Sequence, residues 1–382
     1  MRTTKLKKII LAVLCACMLA SCMIGCNDTA ESATENPTDT VSTVVDDTED
    51  TSEGSESKPG SKKEPLNMWT YTMWKSLNVR ELTFDSGLGG EEVTIIQLTD
   101  THFGGCTEQD LKNPTLASTY ENRTAFPDNL TIPNVKNALD YADSRAADQI
   151  VITGDCLDYL SEGSMNSMKE NVWDRYRESD GVVRKVMALM GNHDMCQQMT
   201  GTVPETLSKE ERLNMVEEFW EHDPYYYSKV IKNKVMLIAI SNGNDVDNQK
   251  FFYDGQAEKL SADIATARAN GYTVLLFCHA PLNTNDGRYF NAVPLIPRQG
   301  PTNLFNGNRG PSYYSKGVDG EVYNIIANSA DVIAGVFNGH YHSDYYTEIK
   351  AKTPDGTEKS IPQYTLCGNS HDGGHVLKIT VK

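Results

Sequence analysis

The sequence predicts a layered α/β domain whose functional groups sit at the carboxyl ends of its strands. Three observations carry this. Short apolar runs rich in β-branched residues recur from about residue 79, stretches with helical spacing lie between them, and each run ends in a cluster of Asp, Asn, His or Gly. Runs of roughly five to eight apolar residues read as strands buried on both faces, which requires helices to cover the sheet. In such sheets ligands bind beyond the carboxyl ends of the strands.

In chain order, residues 1–26 begin with Arg2, Lys5, Lys7 and Lys8 and continue with the apolar run Ile9 to Ala20. That run suits the core of a signal peptide and is shorter than the roughly 20 residues that span a bilayer, so export is expected. Leu19-Ala20-Ser21-Cys22 resembles the lipobox of bacterial lipoproteins. The resemblance implies that Cys22 is lipidated, becomes the new N-terminus and anchors the chain at the extracytoplasmic face of the membrane. Met23-Ile24-Gly25-Cys26 is a poorer match, and an ordinary cleaved signal peptide is the plainer alternative.

Residues 27–64 hold 13 Ser or Thr and 11 acidic residues against three Lys. Such a segment cannot bury enough apolar surface to offset its ordering entropy, and it reads as a disordered acidic tether. Residues 65–382 form the third part, a single catalytic-sized domain. The formal charge of −17 divides as +4 over residues 1–26, −8 over 27–64 and −13 over the rest. No segment large enough to fold is basic, so a sequence-independent nucleic-acid binder is excluded and no nucleic-acid partner is expected. Four of the nine cysteines lie in the leader; Cys106, Cys156, Cys196, Cys278 and Cys367 are widely spaced with no CxxC. They read as small packed thiols and not as a zinc ribbon or a disulfide framework.

The strands follow. Val93 to Leu98 leads to Asp100, Gln149 to Ile152 to Gly154-Asp155, Lys185 to Met190 to Gly191-Asn192, Thr273 to Phe277 to His279, and Asp331 to Phe337 to Gly339-His340. Helices fit at Asn134 to Ala147, after the capping box Ser208/Glu211, and at Gln256 to Asn270 with Gly271 as the residue that ends it. Tyr225 to Val230 and Val235 to Ile240 read as a hairpin, Val376 to Val381 as a strand, and Trp69, Tyr71 and Trp74 as packing for the domain's first strand.

Five of the eight histidines, His102, His193, His279, His340 and His342, fall within three residues of the end of one of these strands. Asp100 and His102 are two apart, as are His340 and His342, and in extended backbone such pairs point to one side. With Asp155, Asn192 and His279 they make seven oxygen and imidazole donors without a thiolate. Mn, Fe or Zn suits that set.

Asp100-Thr101-His102, Gly154-Asp155-Cys156-Leu157-Asp158, Gly191-Asn192-His193-Asp194, His279 and Gly339-His340-Tyr341-His342 resemble, in order, the DxH, GDxxD, GNHD, H and GHxH motifs of the calcineurin-like metallophosphoesterases. One GNHD would arise by chance in roughly one chain of this length in several hundred; five motifs in order would not. The resemblance covers about residues 79–382. It implies a four-layer αββα sandwich of two mixed sheets flanked by helices, with a dinuclear metal site at the carboxyl ends of strands. It further implies that Asp100, His102 and His342 hold one metal, that Asn192, His279 and His340 hold a second, and that Asp155 bridges them. The reaction implied is hydrolysis of a phosphate ester, monoester or diester, by a hydroxide that the two metals activate. In the family the GNHD histidine, here His193, acts as general acid or contacts the phosphate. Asp158 would pair with His193 and favour its protonated form, and Asp194 reads as a loop-fixing carboxylate.

Departures narrow the branch. Purple acid phosphatases require a tyrosine where Asp158 stands, and Ser/Thr phosphoprotein phosphatases an arginine where Tyr159 stands and Glu where Asp194 stands. Bacterial cyclic-nucleotide phosphodiesterase-like and general phosphohydrolase members fit better, and a small phosphorylated, nucleotide-like substrate is expected. Residues 104–133 and 283–320 interrupt the strand–helix rhythm. The second contains Arg288, Arg298 and Arg309 among aromatic residues, expected either to contact substrate or to form a surface excursion. His371-Asp-Gly-Gly-His375 reads as a turn edge in preference to a third metal site. The alternative to an enzyme is a lipid-anchored lipoprotein that binds its ligand without turnover.

Overall fold

A computed structural model describes residues 69–123, 128–199, 203–242, 252–282, 289–290, 317–371 and 373–382. The leader, the tether, Cys22, Cys26, Arg288, Arg298 and Arg309 lie outside the described residues.

The strands are β1 (Thr70–Trp74), β2 (Leu77–Phe84), β3 (Val93–Leu98), β4 (Gln149–Thr153), β5 (Val186–Leu189), β6 (Tyr226–Ile231), β7 (Val235–Ile240), β8 (Thr273–Phe277), β9 (Tyr289–Phe290), β10 (Ile333–Asn338), β11 (Tyr345–Lys352), β12 (Glu358–Thr365) and β13 (His375–Val381). They form two mixed sheets, one in the order β1-β2-β13-β3-β4-β5 and one in the order β6-β7-β8-β10-β12-β11-β9. Within the first, β3, β4 and β5 run parallel; within the second, β7, β8, β10 and β12 do.

Consecutive residues of each parallel strand feed different layers, which is why these runs are apolar throughout and do not alternate. Ile95, Val151, Leu237, Leu275, Phe277, Phe337 and Leu377 meet between the sheets. Ile96, Leu98, Ile150 and Ile152 face outward onto Val135, Leu139 and Tyr141. On the far side Ile238, Val274 and Leu276 pack with Leu260, Ile264, Val322 and Ile326. The longer helices are α1 (Pro114–Asn122), α2 (Asp128–Ser144), α3 (Glu162–Met168), α4 (Lys209–Phe219), α5 (Gln256–Asn270) and α6 (Gly317–Ala327), and α2, α5 and α6 supply the partners just named. Helix, sheet, sheet, helix is the four-layer αββα order expected.

Local signals place several boundaries. Ser208 Oγ accepts from Glu211 N and the Glu211 carboxylate accepts from Ser208 N, the reciprocal cap foreseen for α4. Gly271 closes α5 in the left-handed region at φ 72°. Other boundaries depart from expectation. Helix α2 starts at Asp128 and runs through Pro133, although the residue before a proline is normally pushed out of helical geometry. The stretch 104–133 is not merely an interruption, because it contains α1, whose N-cap Asn113 accepts from Thr115 N and Leu116 N, with Pro114 at the first turn. Trp69 is buried against Tyr364 and Trp74 lies beside Tyr141. Tyr71 does not pack inward as expected; it is 41% exposed and lies under the Arg80 guanidinium.

Candidate metal centre

The carboxyl ends of β3, β4, β5, β8 and β10 converge at the seam between the two sheets. The chain turns sharply there. Five of the nine positive-φ non-glycine residues described are Asp100 (φ 49°), His102 (48°), Asp155 (45°), His340 (73°) and His342 (49°). Each such conformation costs about 1–3 kcal/mol and persists only where surrounding contacts fix it. Those contacts are visible: Asp100 N donates to Gly154 O (3.0 Å), His102 N to Asp155 O (3.0 Å) and Gly339 N to His279 O (2.9 Å). The two-apart pairs therefore converge through left-handed turns and not through the extended backbone that the spacing suggested, because the chain has already left the strand.

Three donor groups result among the described residues: Asp155 belongs to two of them, and His102, Asp158 and His193 make the third. Asp100, His102, Asp155 and His342 offer ligand atoms all within 4.8 Å of one another, and so do Asp155, His279 and His340. His342 Nε2 lies 3.1 Å from Asp100 Oδ1 and 3.2 Å from His102 Nε2. His279 Nε2 lies 3.3 Å from Asp155 Oδ2, 3.2 Å from His340 Nδ1 and 3.1 Å from Asn192 Oδ1. All seven side chains expected from the sequence are thus brought together.

Glycines in the motifs make room for this crowding. A Cβ on Gly339 would overlap Thr99 Oγ1 and Asp100 Oδ2, one on Gly154 the His279 ring, and one on Gly191 the Asp155 carboxylate. Gly339→Ala is accordingly expected to cost about 1–3 kcal/mol of stability and to weaken divalent-metal binding. Denaturant melts with metal titration check this; a variant matching the wild type in both would show that the loop can relax.

Outer partners fix which imidazole nitrogen faces the cluster. His279 Nδ1 donates to the Thr153 carbonyl (2.9 Å) and His102 Nδ1 to Asp158 Oδ1 (3.1 Å), which directs both Nε2 atoms inward. His342 Nδ1 lies 2.7 Å from His371 Nε2. The charges are balanced internally. Burial opposes the Asp155 charge, but His279 and His193 outweigh it and hold the carboxyl well below its usual range. Burial likewise disfavours the His279 charge, yet Asp155 raises its pKa to about 9. Burial lowers His102 to about 4, against its bond to Asp158, and burial with the His279 charge lowers His340 to about 4. Neutral imidazoles and ionised carboxylates are the forms that bind metals, so His279, held charged by Asp155, would give up its Nε2 proton to an ion there. The donor set fits a pair of divalent or trivalent ions, since it offers carboxylate, amide oxygen and imidazole with no thiolate. Cys156 and Cys278 are buried and lie beside backbone carbonyls, and all five described cysteines are unpaired thiols.

His193 stands beside this cluster, its Nε2 3.9 Å from Asp155 Oδ2. The expected pairing with Asp158 takes a different form. His193 Nδ1 donates to the Asp158 backbone carbonyl (2.8 Å), with the carboxylate at 3.5 Å. That carboxylate is engaged by His102 and by Arg123, whose Nε and Nη2 reach it at 2.9 and 2.8 Å. Burial opposes the Asp158 charge, but these hydrogen bonds hold it far below the carboxylate range. Burial lowers the His193 pKa, and the carboxylates of Asp155 and Asp158 outweigh it and raise the value. Asp194 accepts from Leu157 N and Gly191 N at 2.7 Å each, tying two motif loops together. Arg123 carries no motif signal: it is the residue after α1, and only the fold brings it to Asp158. His371 lies in the turn before β13 and His375 opens that strand, so the turn-edge reading describes their backbone, and the His371 ring reaches His342 of the cluster.

The family model for calcineurin-like phosphoesterases matches residues 93–344, a span that contains every motif above. No curated protein sequence matches the chain significantly. Among solved structures, similarity is found to a dimetal phosphatase from Danio rerio, with TM-score 0.39 and 13% identity over 72% of this chain and 87% of that one. A calcineurin-like phosphoesterase from Bacillus subtilis is similar at TM-score 0.34 and 12% identity, over 72% of this chain and 81% of that one. A purple acid phosphatase from yellow lupin (Lupinus luteus) seeds gives TM-score 0.39 and 11% identity, over 79% of this chain and 46% of that one. By the match along residues 93–344, the chain belongs to the calcineurin-like phosphoesterases and is a hydrolase acting on phosphate esters.

Proposed function

We propose that the protein hydrolyses a small phosphate ester at a two-metal centre outside the cytoplasmic membrane. The observation that carries this reading is the sharing of Asp155 between two donor groups. Asp100, His102 and His342 would hold one ion, Asn192, His279 and His340 the other, and Asp155 both. Two bound cations supply Lewis acidity, lowering the pKa of a shared water and neutralising phosphoryl charge.

The chain's own residues supply orientation and the proton. Because His193 Nδ1 donates to the Asp158 carbonyl, the proton available for transfer sits on Nε2, the nitrogen facing the cluster. From there it can pass to the oxygen of the departing alcohol. Asp158 keeps the neighbouring His102 in its ligating tautomer and, with Asp155, favours the charged form of His193. Mn, Fe and Zn all suit the donors. The acidic character of residues 65–382, −13 by formal charge, favours small esters over extended polyanions. Arg288, Arg298 and Arg309 are candidates to meet the substrate. The basic and apolar leader, the Cys22 lipobox and the acidic tether support export and lipid anchoring at the outer face.

Nitrophenyl phosphate mono- and diesters provide the test. Hydrolysis is expected to disappear with chelator and to return on adding Mn²⁺, and a panel of nucleotides, cyclic nucleotides and sugar phosphates then ranks the esters. Metal-loaded protein that binds phosphate esters without releasing alcohol would favour the ligand-binding lipoprotein instead.

A further inference from the structure

We propose that His371 is a positioning residue that sets the tautomer of His342 and so decides whether the ion position formed by Asp100, His102 and His342 fills. The inference rests on the metal-binding reading above.

One proton is shared between two rings. His371 Nε2 and His342 Nδ1 are 2.7 Å apart, with ring centroids 4.7 Å apart and planes at 67°. Neutral imidazole has one N–H, so at this distance one nitrogen donates and the other accepts. If His342 Nδ1 carries the hydrogen, its Nε2 keeps a lone pair directed at the space shared with Asp100 Oδ1 and His102 Nε2. If His371 Nε2 carries it, neutral His342 must hold its hydrogen on Nε2, aimed into the cluster, and cannot ligate. His371 therefore has to present Nε2 as an acceptor and keep its own hydrogen on Nδ1.

The turn that carries His371 is clamped to the cluster and not merely nearby. Asn369 N donates to Thr99 O (2.8 Å) and Ser370 N to Asp100 O (3.2 Å), joining the turn to the loop after β3. Asn134 Nδ2, from α2, donates to the carbonyls of Asn369 (3.1 Å) and His371 (2.8 Å). Gly373 and Gly374 take φ values of 76° and 66°, and a Cβ on Gly373 would meet the Ser76 carbonyl. These contacts fix the ring's height over His342. The device also differs from those at His102 and His279, where the acceptors are a carboxylate and a backbone carbonyl. His342 is 23% exposed at its side chain whereas His102 and His279 are 0%, so water competes for its Nδ1 hydrogen unless His371 takes it.

Titration of metal-stripped protein with Mn²⁺, followed by calorimetry and by metal content after dialysis, tests the proposal. Wild type should take up two equivalents. His371→Phe keeps a ring but removes the acceptor; it should retain one tight equivalent and bind the other about 10–100-fold more weakly. His371→Gln, whose amide oxygen can accept, should recover most of the loss. Two equally tight equivalents in His371→Phe would overturn the role of His371 while leaving the metal centre intact, whereas a wild type that binds no metal would overturn the centre itself. Should the phenylalanine variant fail to fold, the Zn²⁺-loaded wild type decides by long-range ¹H–¹⁵N correlation at His371: hydrogen on His371 Nδ1 alone supports the proposal, and hydrogen on its Nε2 contradicts it.

Discussion

Asp155→Asn is expected to lower hydrolysis by about 10³-fold or more, because losing the shared carboxylate charge weakens both ion positions together. Asp155 is buried, lies 3.3 Å from His279 Nε2 and accepts from His193 N at 2.9 Å. The asparagine keeps the shape and the contact with His193 N, which separates loss of charge from loss of structure. Metal content should fall from two equivalents to one or none, while circular dichroism stays that of the wild type. Full activity with two bound ions would show that Asp155 is not shared.

His193→Gln probes a different step. Its expected loss is in kcat, about 10²–10⁴-fold for esters of alkyl alcohols and far less for nitrophenyl esters, whose leaving group needs no proton. Both metal equivalents should remain, since His193 stands beside the donor groups built on Asp155 and its Nδ1 is tied to the Asp158 carbonyl. A steady-state comparison of alkyl and aryl esters reads this directly. Equal losses on both classes would assign His193 to phosphate binding in place of proton transfer.

The parts of the fold that were readable share one physical property. β3, β4, β5, β8 and β10 are covered on both faces, so each is a continuous apolar run that ends where the chain turns into the site. β2, β11 and β12 escaped notice because partners cover them unevenly. β11 alternates buried and exposed residues toward its end, and β12 begins with three exposed positions. β12 even contains Pro362, which pairs with Glu348 of β11, while β10 pairs only from Gln363 onward. A proline survives where one edge of the ladder is open.

The site shows the same split. Its motif residues were legible because their chemistry is unusual at strand ends. Their convergence was misread, since left-handed backbone at Asp100, His102, His340 and His342 is not encoded by residue type. Arg123 and the ring of His371 could not be connected to their partners, 35 and 29 residues away along the chain, without the fold.

Crystals grown with Mn²⁺ and measured at a wavelength where manganese scatters anomalously give the most direct test. Two peaks about 3.5–4 Å apart are expected on either side of the Asp155 carboxylate, one among Asp100, His102 and His342 and the other among Asn192, His279 and His340. A single peak, or peaks remote from Asp155, would contradict a two-ion centre in this chain.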